Sequence, residues 1–245
     1  MEYLKYTEYN KEPGGIKKLN FVVNVIKDNK EDGAVILDVG CGNGNVSFPL
    51  AYLGYDVIAI DISQELIEKN FQKNKFKNLL FKTLDLNIEK ISLEEKFDAI
   101  LLLDILEHLE NPEILLSNLG KLCKNEALLI ISIPNGFGFS ETISRFVRWV
   151  EEITKIEFVN KFKKMTGRFS VQSENYTPHL QHFRFREIVS LVEKYNFRLE
   201  NYRNSTVFSS TLRWRGKLEK FDLKLADIMP KDLSSGWYLV FKKEK

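Results

Sequence analysis

Five short runs rich in Val, Ile and Leu, at 34–39, 56–60, 79–83, 98–103 and 127–133, recur along the chain with helix-length stretches between them. Near-continuous apolar content of this kind suits parallel strands covered on both faces. The stretches 62–75 and 112–122 are long enough to be crossover helices. Because a strand–crossover–strand unit is right-handed, this alternation restricts the chain to a doubly wound α/β sheet. The rhythm is interrupted from 136 to 180, where a helical lid insertion is expected. An amphipathic helix at 186–195 follows, and strands at 198–204 and 237–242 bracket a helical segment around 212–228. No crossover helix directly precedes 237–242, so that strand is expected to run antiparallel in an otherwise mostly parallel, seven-stranded sheet.

At 245 residues, without repeats or a low-complexity linker, the chain reads as one domain over 1–245. Its 44% hydrophobic and 29% charged residues are ordinary globular usage and exclude disordered and disulfide-scaffold classes. Cys41 and Cys123 have no CxxC partner, which signals neither a zinc site nor a disulfide framework and fits a reducing compartment. Residues 1–13 hold no apolar core of signal-peptide length, and no run approaches the roughly 18 apolar residues of a membrane span. The expected location is cytoplasmic, with peripheral attachment to a membrane left open. A net charge of +2 gives no molecule-wide footprint for nucleic acid.

The first run leads into Asp38-Val39-Gly40-Cys41-Gly42-Asn43-Gly44, a strand entering a glycine turn, with 46–53 able to continue as a helix. Glycines there permit positive φ and close approach of backbone to a ligand, although a tight strand-to-helix turn needs them too. Asp61 closes the second run, 17 residues beyond Gly44, where a carboxylate can accept from both ribose hydroxyls of a nucleoside. Charge then separates the cofactors. A pyrophosphate at this turn would be repelled by Asp38, whereas S-adenosylmethionine (SAM) brings an ammonium and a sulfonium and no phosphate. Asp38, Asp61, Asp85 and Asp104 all stand at carboxyl ends of the runs, a rim that favours a cation. The third glycine also comes one residue early for the dinucleotide form, which argues against a nicotinamide-dependent oxidoreductase.

After the fourth run comes Asp104-Ile105-Leu106-Glu107-His108-Leu109. On a helix beginning there, 104, 107 and 108 share one face and two carboxylates converge with an imidazole; the plainer alternative is a capping box opening a surface helix. The two other histidines, His179 and His182, lie together at the end of the insertion. Imidazoles and carboxylates suit a divalent ion such as Mg²⁺ or Mn²⁺, and without metal His108 or His182 fits a general base.

These residues resemble the class I SAM-dependent methyltransferases, with 37–44 close to the cofactor signature and 57–61 and Pro134-Asn135 in the family's order. The resemblance implies a Rossmann-like methyltransferase fold. It also implies a cofactor site of Asp38, Gly40, Cys41, Gly42, Asn43, Gly44, Asp61, Ile62, Asp85, Leu86 and Leu103. In it the glycine turn cradles the methionine part, Asp61 holds the ribose, Ile62 borders the adenine and Asp85 faces its amino group. Asp85 is equally placed as the N-cap of a following helix. The run ending Glu107-His108 is similar to the E-x-x-E-H element of the ubiquinone-biosynthesis O-methyltransferases and the small-RNA 3′-terminal 2′-O-methyltransferases. That likeness implies metal ligands at Asp104, Glu107, His108 and one of His179 or His182, His182 being preferred, with Asp104 standing where the family has Glu. Glu107, His108 and His182 are then the expected catalytic residues. The expected acceptor is a small-molecule, sugar or lipid-like hydroxyl; the rivals are an RNA ribose or a SAM-binding subunit without chemistry.

Within the insertion, Ile143, Phe146, Val147, Val150 and Ile153 fall at helical spacing and suit a lid burying one apolar face. Trp149, Phe158 and Phe162 with Lys161, Lys163 and Lys164 suit, alternatively, a basic-aromatic cover for a lipid-like or polyanionic substrate.

Overall fold

The computed structural model describes residues 1–11, 13–85, 93, 95–138, 142, 179–208 and 217–244. The expected lid helix, its aromatic and basic residues, and Leu86 lie outside the described residues. Two 3-10 turns, Glu2–Tyr6 and Glu8–Lys11, precede helix α1 (Pro13–Asn29). Then follow β1 (Val35–Val39), α2 (Ser47–Tyr52), β2 (Asp56–Asp61), α3 (Gln64–Lys73), β3 (Leu79–Thr83) and β4 (Phe97–Leu103). A 3-10 turn at Leu106–His108 leads to α4 (Pro112–Leu122), β5 (Cys123–Pro134), α5 (Phe185–Glu193), β6 (Phe197–Asn204), α6 (Lys217–Ile228) and β7 (Gly236–Lys243).

The strands form one sheet in the order β3-β2-β1-β4-β5-β7-β6, with the first five parallel and β7 antiparallel to both its neighbours. This is the seven-stranded arrangement read from the sequence, including the direction of the last strand. Side-chain alternation divides the core into two layers. Leu37, Val39, Ile100, Leu102, Leu129 and Ile131 face one side, where Leu115, Leu116 and Leu119 of α4 and Ile188 and Val192 of α5 cover them. Ile36, Val57, Ala59, Ala99, Leu101 and Ile130 face the other, under Leu19, Val22, Val23 and Ile26 of α1 and Leu50 of α2. Strands sandwiched in this way have no wet face, which is why they read as unbroken apolar runs.

Strand order reverses between β1 and β4, and the crevice beyond their carboxyl ends is where open α/β sheets bind ligands. The expected helix starting at 104 does not form. Asp104 takes a left-handed φ of 59°, and only a three-residue 3-10 turn follows. The Glu107 carbonyl, which would bind the amide four residues on, instead accepts from Leu180 N at 2.8 Å and Gln181 N at 3.0 Å. That acceptor is used outside a helix, and α4 starts only at Pro112, a residue suited to a first helical turn.

Candidate active site

Gly40, Gly42 and Gly44 adopt φ of 69°, 51° and 72°, so the turn after β1 is left-handed at all three glycines. A Cβ on Gly40 would lie 2.0 Å from Ile105 Cδ1, so this turn packs directly against the segment that carries Asp104 and Glu107. A Cβ on Gly42 would meet nothing within 4 Å, and the middle of the turn faces open space. Asp61 ties the turn to β2: its Oδ2 accepts from Gly42 N at 2.8 Å and its Oδ1 from Ser63 N at 2.9 Å. Each oxygen keeps a lone pair for a ligand hydroxyl. Beside it Ile62 is 60% exposed, an apolar surface at the end of β2.

Asp38 is buried and accepts from Ser47 Oγ. Burial pushes its carboxyl up to about 6, against the pull of the Ser47 hydroxyl and with a further push from the Asp61 carboxylate. Cys41 is also buried, which raises its thiol and makes it inert packing. Asn43 Nδ2 donates to Glu8 Oε2 at 3.2 Å, joining the turn to the N-terminal segment. Asp85 is exposed beyond β3, and Leu103 is half-buried at the end of β4. Asn70 of α3, which sequence reading missed, is buried and donates from Nδ2 to Gly42 O at 2.7 Å. An Asn on a polar helix carries no signal of such a role by itself.

The structure divides the second constellation. Glu107, His108 and His179 each offer a ligand atom, and these atoms all lie within 4.8 Å of one another. The His108 and His179 rings stand edge to face with centroids 5.1 Å apart. Glu107 is 1% exposed and its buried Oε2 has no hydrogen-bond partner among the described residues. Burial pushes that carboxyl up to about 8, with the Asp104 carboxylate adding to the effect. His182 is not part of the group; it is exposed, and its backbone packs on Gly136, where a Cβ would lie 2.7 Å from His182 Cβ.

Asp104 is directed elsewhere. It forms an ion pair with Lys18 of α1 and accepts from Ser132 Oγ at 2.6 Å. Its side chain is 45% exposed. Burial opposes its ionisation, but the Lys18 ammonium and the two hydrogen bonds hold the carboxyl below its ordinary range. Lys18 was also missed: the spacing of Leu19, Val22, Val23 and Ile26 signals the helix, but nothing local signals its partner 86 residues away.

A chemical fit to SAM follows from the donor set. The acids at the strand ends suit an ammonium and ribose hydroxyls, the apolar surface of Ile62 suits an aromatic base, and no basic residue stands in the turn to receive a phosphate. Fold and site together define the SAM-dependent methyltransferase class. Residues 16–202 match the methyltransferase domain family, and the chain belongs to that family. The fold is shared with magnesium protoporphyrin IX methyltransferase from Synechocystis, solved with bound S-adenosylhomocysteine. There the TM-score is 0.60 at 20% identity, over 94% of this chain and 84% of that one. A SAM-dependent methyltransferase from Methanosarcina mazei gives 0.58 at 20% identity, over 90% and 97%. The ubiquinone biosynthesis O-methyltransferase of Rickettsia bellii is 32% identical over 120 residues, 48% of this chain and 50% of that protein. That of Rickettsia conorii is 37% identical over 100 residues, 41% and 35% of the two chains. The chain thus spans half or less of the length of these curated relatives. Among the described residues no helix is long and apolar enough to cross a membrane.

Proposed function

We propose that this chain, acting as one methyltransferase domain, transfers a methyl group to a hydroxyl of a small-molecule, sugar or lipid-like acceptor. Glu107, His108 and His179 would hold a divalent ion at the acceptor end of the cleft. The observation that carries this reading is the buried Glu107 Oε2, unpartnered among the described residues and within reach of two imidazoles, beside the glycine turn. A carboxyl oxygen deprived of water and of a donor is costly unless a proton or a cation meets it. The likeness to relatives named O-methyltransferases supports oxygen as the acceptor atom.

SAM, when bound, supplies a methyl already activated on a sulfonium, so an O–C bond forms as the S–C bond breaks and S-adenosylhomocysteine is left. The protein's work is alignment, exclusion of water and removal of one proton from the acceptor. Asp61 and the glycine turn fix the nucleoside and methionine ends. Ile105, against Gly40, joins that turn to the segment of Glu107 and His108, which on this reading receive the acceptor hydroxyl. A divalent ion held there would supply Lewis acidity that makes the hydroxyl easier to deprotonate. A second reading is favoured by the His108 imidazole beside Glu107 and His179, which could take the acceptor proton without metal.

Transfer from labelled SAM to a panel of phenolic and sugar acceptors, with and without EDTA, separates the two. The expected outcome is loss of transfer with EDTA, recovery with Mn²⁺ or Mg²⁺, and unchanged binding of S-adenosylhomocysteine by calorimetry. An EDTA-insensitive rate would leave Glu107 and His108 as proton acceptors and remove the ion.

A further inference from the structure

Three residues before Glu107 the sequence supplies an acid that the fold keeps out of the ligand group. Asp104 has its backbone in the left-handed region, which turns the side chain toward α1. There both its oxygens are engaged, Oδ2 by the Lys18 ammonium and Oδ1 by Ser132 Oγ. Lys18 itself is 15% exposed, and its position is set by a helix held at a second point. The adjacent Lys17 donates to Ser205 O at 2.8 Å and Leu223 O at 3.0 Å and pairs with Asp227 at 2.9 Å. Lys18, Asp104 and Glu107 are also electrostatically coupled: the Asp104 carboxylate disfavours a charge on Glu107 and the Lys18 ammonium favours it. The Lys18 ammonium therefore occupies an acid three residues before Glu107, close enough to Glu107 for its charge to be felt there.

We propose that Lys18 is a specificity-determining residue of the metal centre: its ammonium withholds Asp104, so that the ion is bound by Glu107, His108 and His179 alone and keeps its other positions for acceptor oxygens. The inference rests on the reading of those three residues as metal ligands. Three protein ligands with open positions are the pattern of catalytic sites, whereas a closed shell is the pattern of structural ones. A second carboxylate on the ion would also neutralise more of the charge that acidifies a hydroxyl. The Lys18–Asp104 pair is neutral as a unit and leaves that charge intact.

The test is Mn²⁺ titration of the cofactor-free protein, with free ion read by electron paramagnetic resonance and bound water counted by water-proton relaxation. It needs the wild type, Lys18→Met, Lys18→Gln, each of these with Asp104→Asn, and Glu107→Gln, all checked for folding by circular dichroism. The wild type should bind one ion and Glu107→Gln should lose it. Lys18→Met or Lys18→Gln, whichever remains folded, should bind roughly tenfold tighter or better, with one water fewer on the ion. Adding Asp104→Asn should cancel both changes. Unchanged affinity in the folded Lys18 variant, or a gain with the same water count, overturns the inference and leaves the metal reading standing. Absence of Mn²⁺ binding in the wild type, or binding that survives Glu107→Gln, overturns the metal reading and this inference with it.

Discussion

Asp61 accepts from the amides of Gly42 and Ser63 with one oxygen each, and the ribose role proposed for it would use the lone pairs that remain. Asp61→Ala is expected to weaken S-adenosylhomocysteine binding by about 1–3 kcal/mol, the cost of removing a charged acceptor. Calorimetric titration of the folded variant checks this, and an unchanged affinity would reassign the ribose. Asp38 carries the pH dependence. Its pKa rises on folding from an ordinary carboxylate value to about 6, so its favourable contribution is complete below its unfolded value and fades as pH rises through 6. Asp38→Asn should therefore gain stability relative to the wild type between about pH 4 and pH 6, by on the order of 2–3 kcal/mol at most, as read by urea denaturation at several pH values. A ligand ammonium reverses that preference, so S-adenosylhomocysteine should bind the wild type more tightly as pH rises through 6. At this scale the sequence was informative where a motif fixes the neighbourhood, as for Asp38, Asp61 and the glycines. It was silent where a partner arrives from a distant element, as for Lys18 and Asn70. It chose between His179 and His182 the wrong way round for contact with Glu107, because two histidines three apart in one loop differ only in the path of the backbone.

Among the elements, the glycine turn offers a contrast within four residues. Gly40 combines positive φ with a Cβ position blocked by Ile105, whereas Gly42 has positive φ and an open surround. Gly40→Ala should lower the melting temperature markedly, through overpacking as well as backbone strain of about 1 kcal/mol or more. Gly42→Ala should cost only the backbone part and yet abolish S-adenosylhomocysteine binding, because its methyl enters ligand space. Differential scanning calorimetry with and without ligand distinguishes the two. Strands and crossover helices were legible because their periodicity is set by burial on both faces. The segment after β4 was not, since there the Glu107 carbonyl accepts from the Leu180 and Gln181 amides, a long-range pairing that no local pattern encodes.

For the molecule as a whole, β7 is both the last of the described strands in sequence and an interior strand of the sheet, placed between β5 and β6. Phe241 faces Leu129 on one side and Leu199 on the other in the strand register and is fully buried. Phe241→Ala should cost about 3–5 kcal/mol, as a large aromatic lost from a packed core does, and equilibrium denaturation measures it directly. The same placement imposes an order on synthesis. While β7 is still inside the ribosome, the emerged chain holds a parallel sheet whose β5 flank is bare, and a β6 with no strand to join. Exposed flanks of that kind are templates for wrong pairing. Any form of the chain from which β7 is removed is thus expected to expose the β5 flank and to self-associate through it.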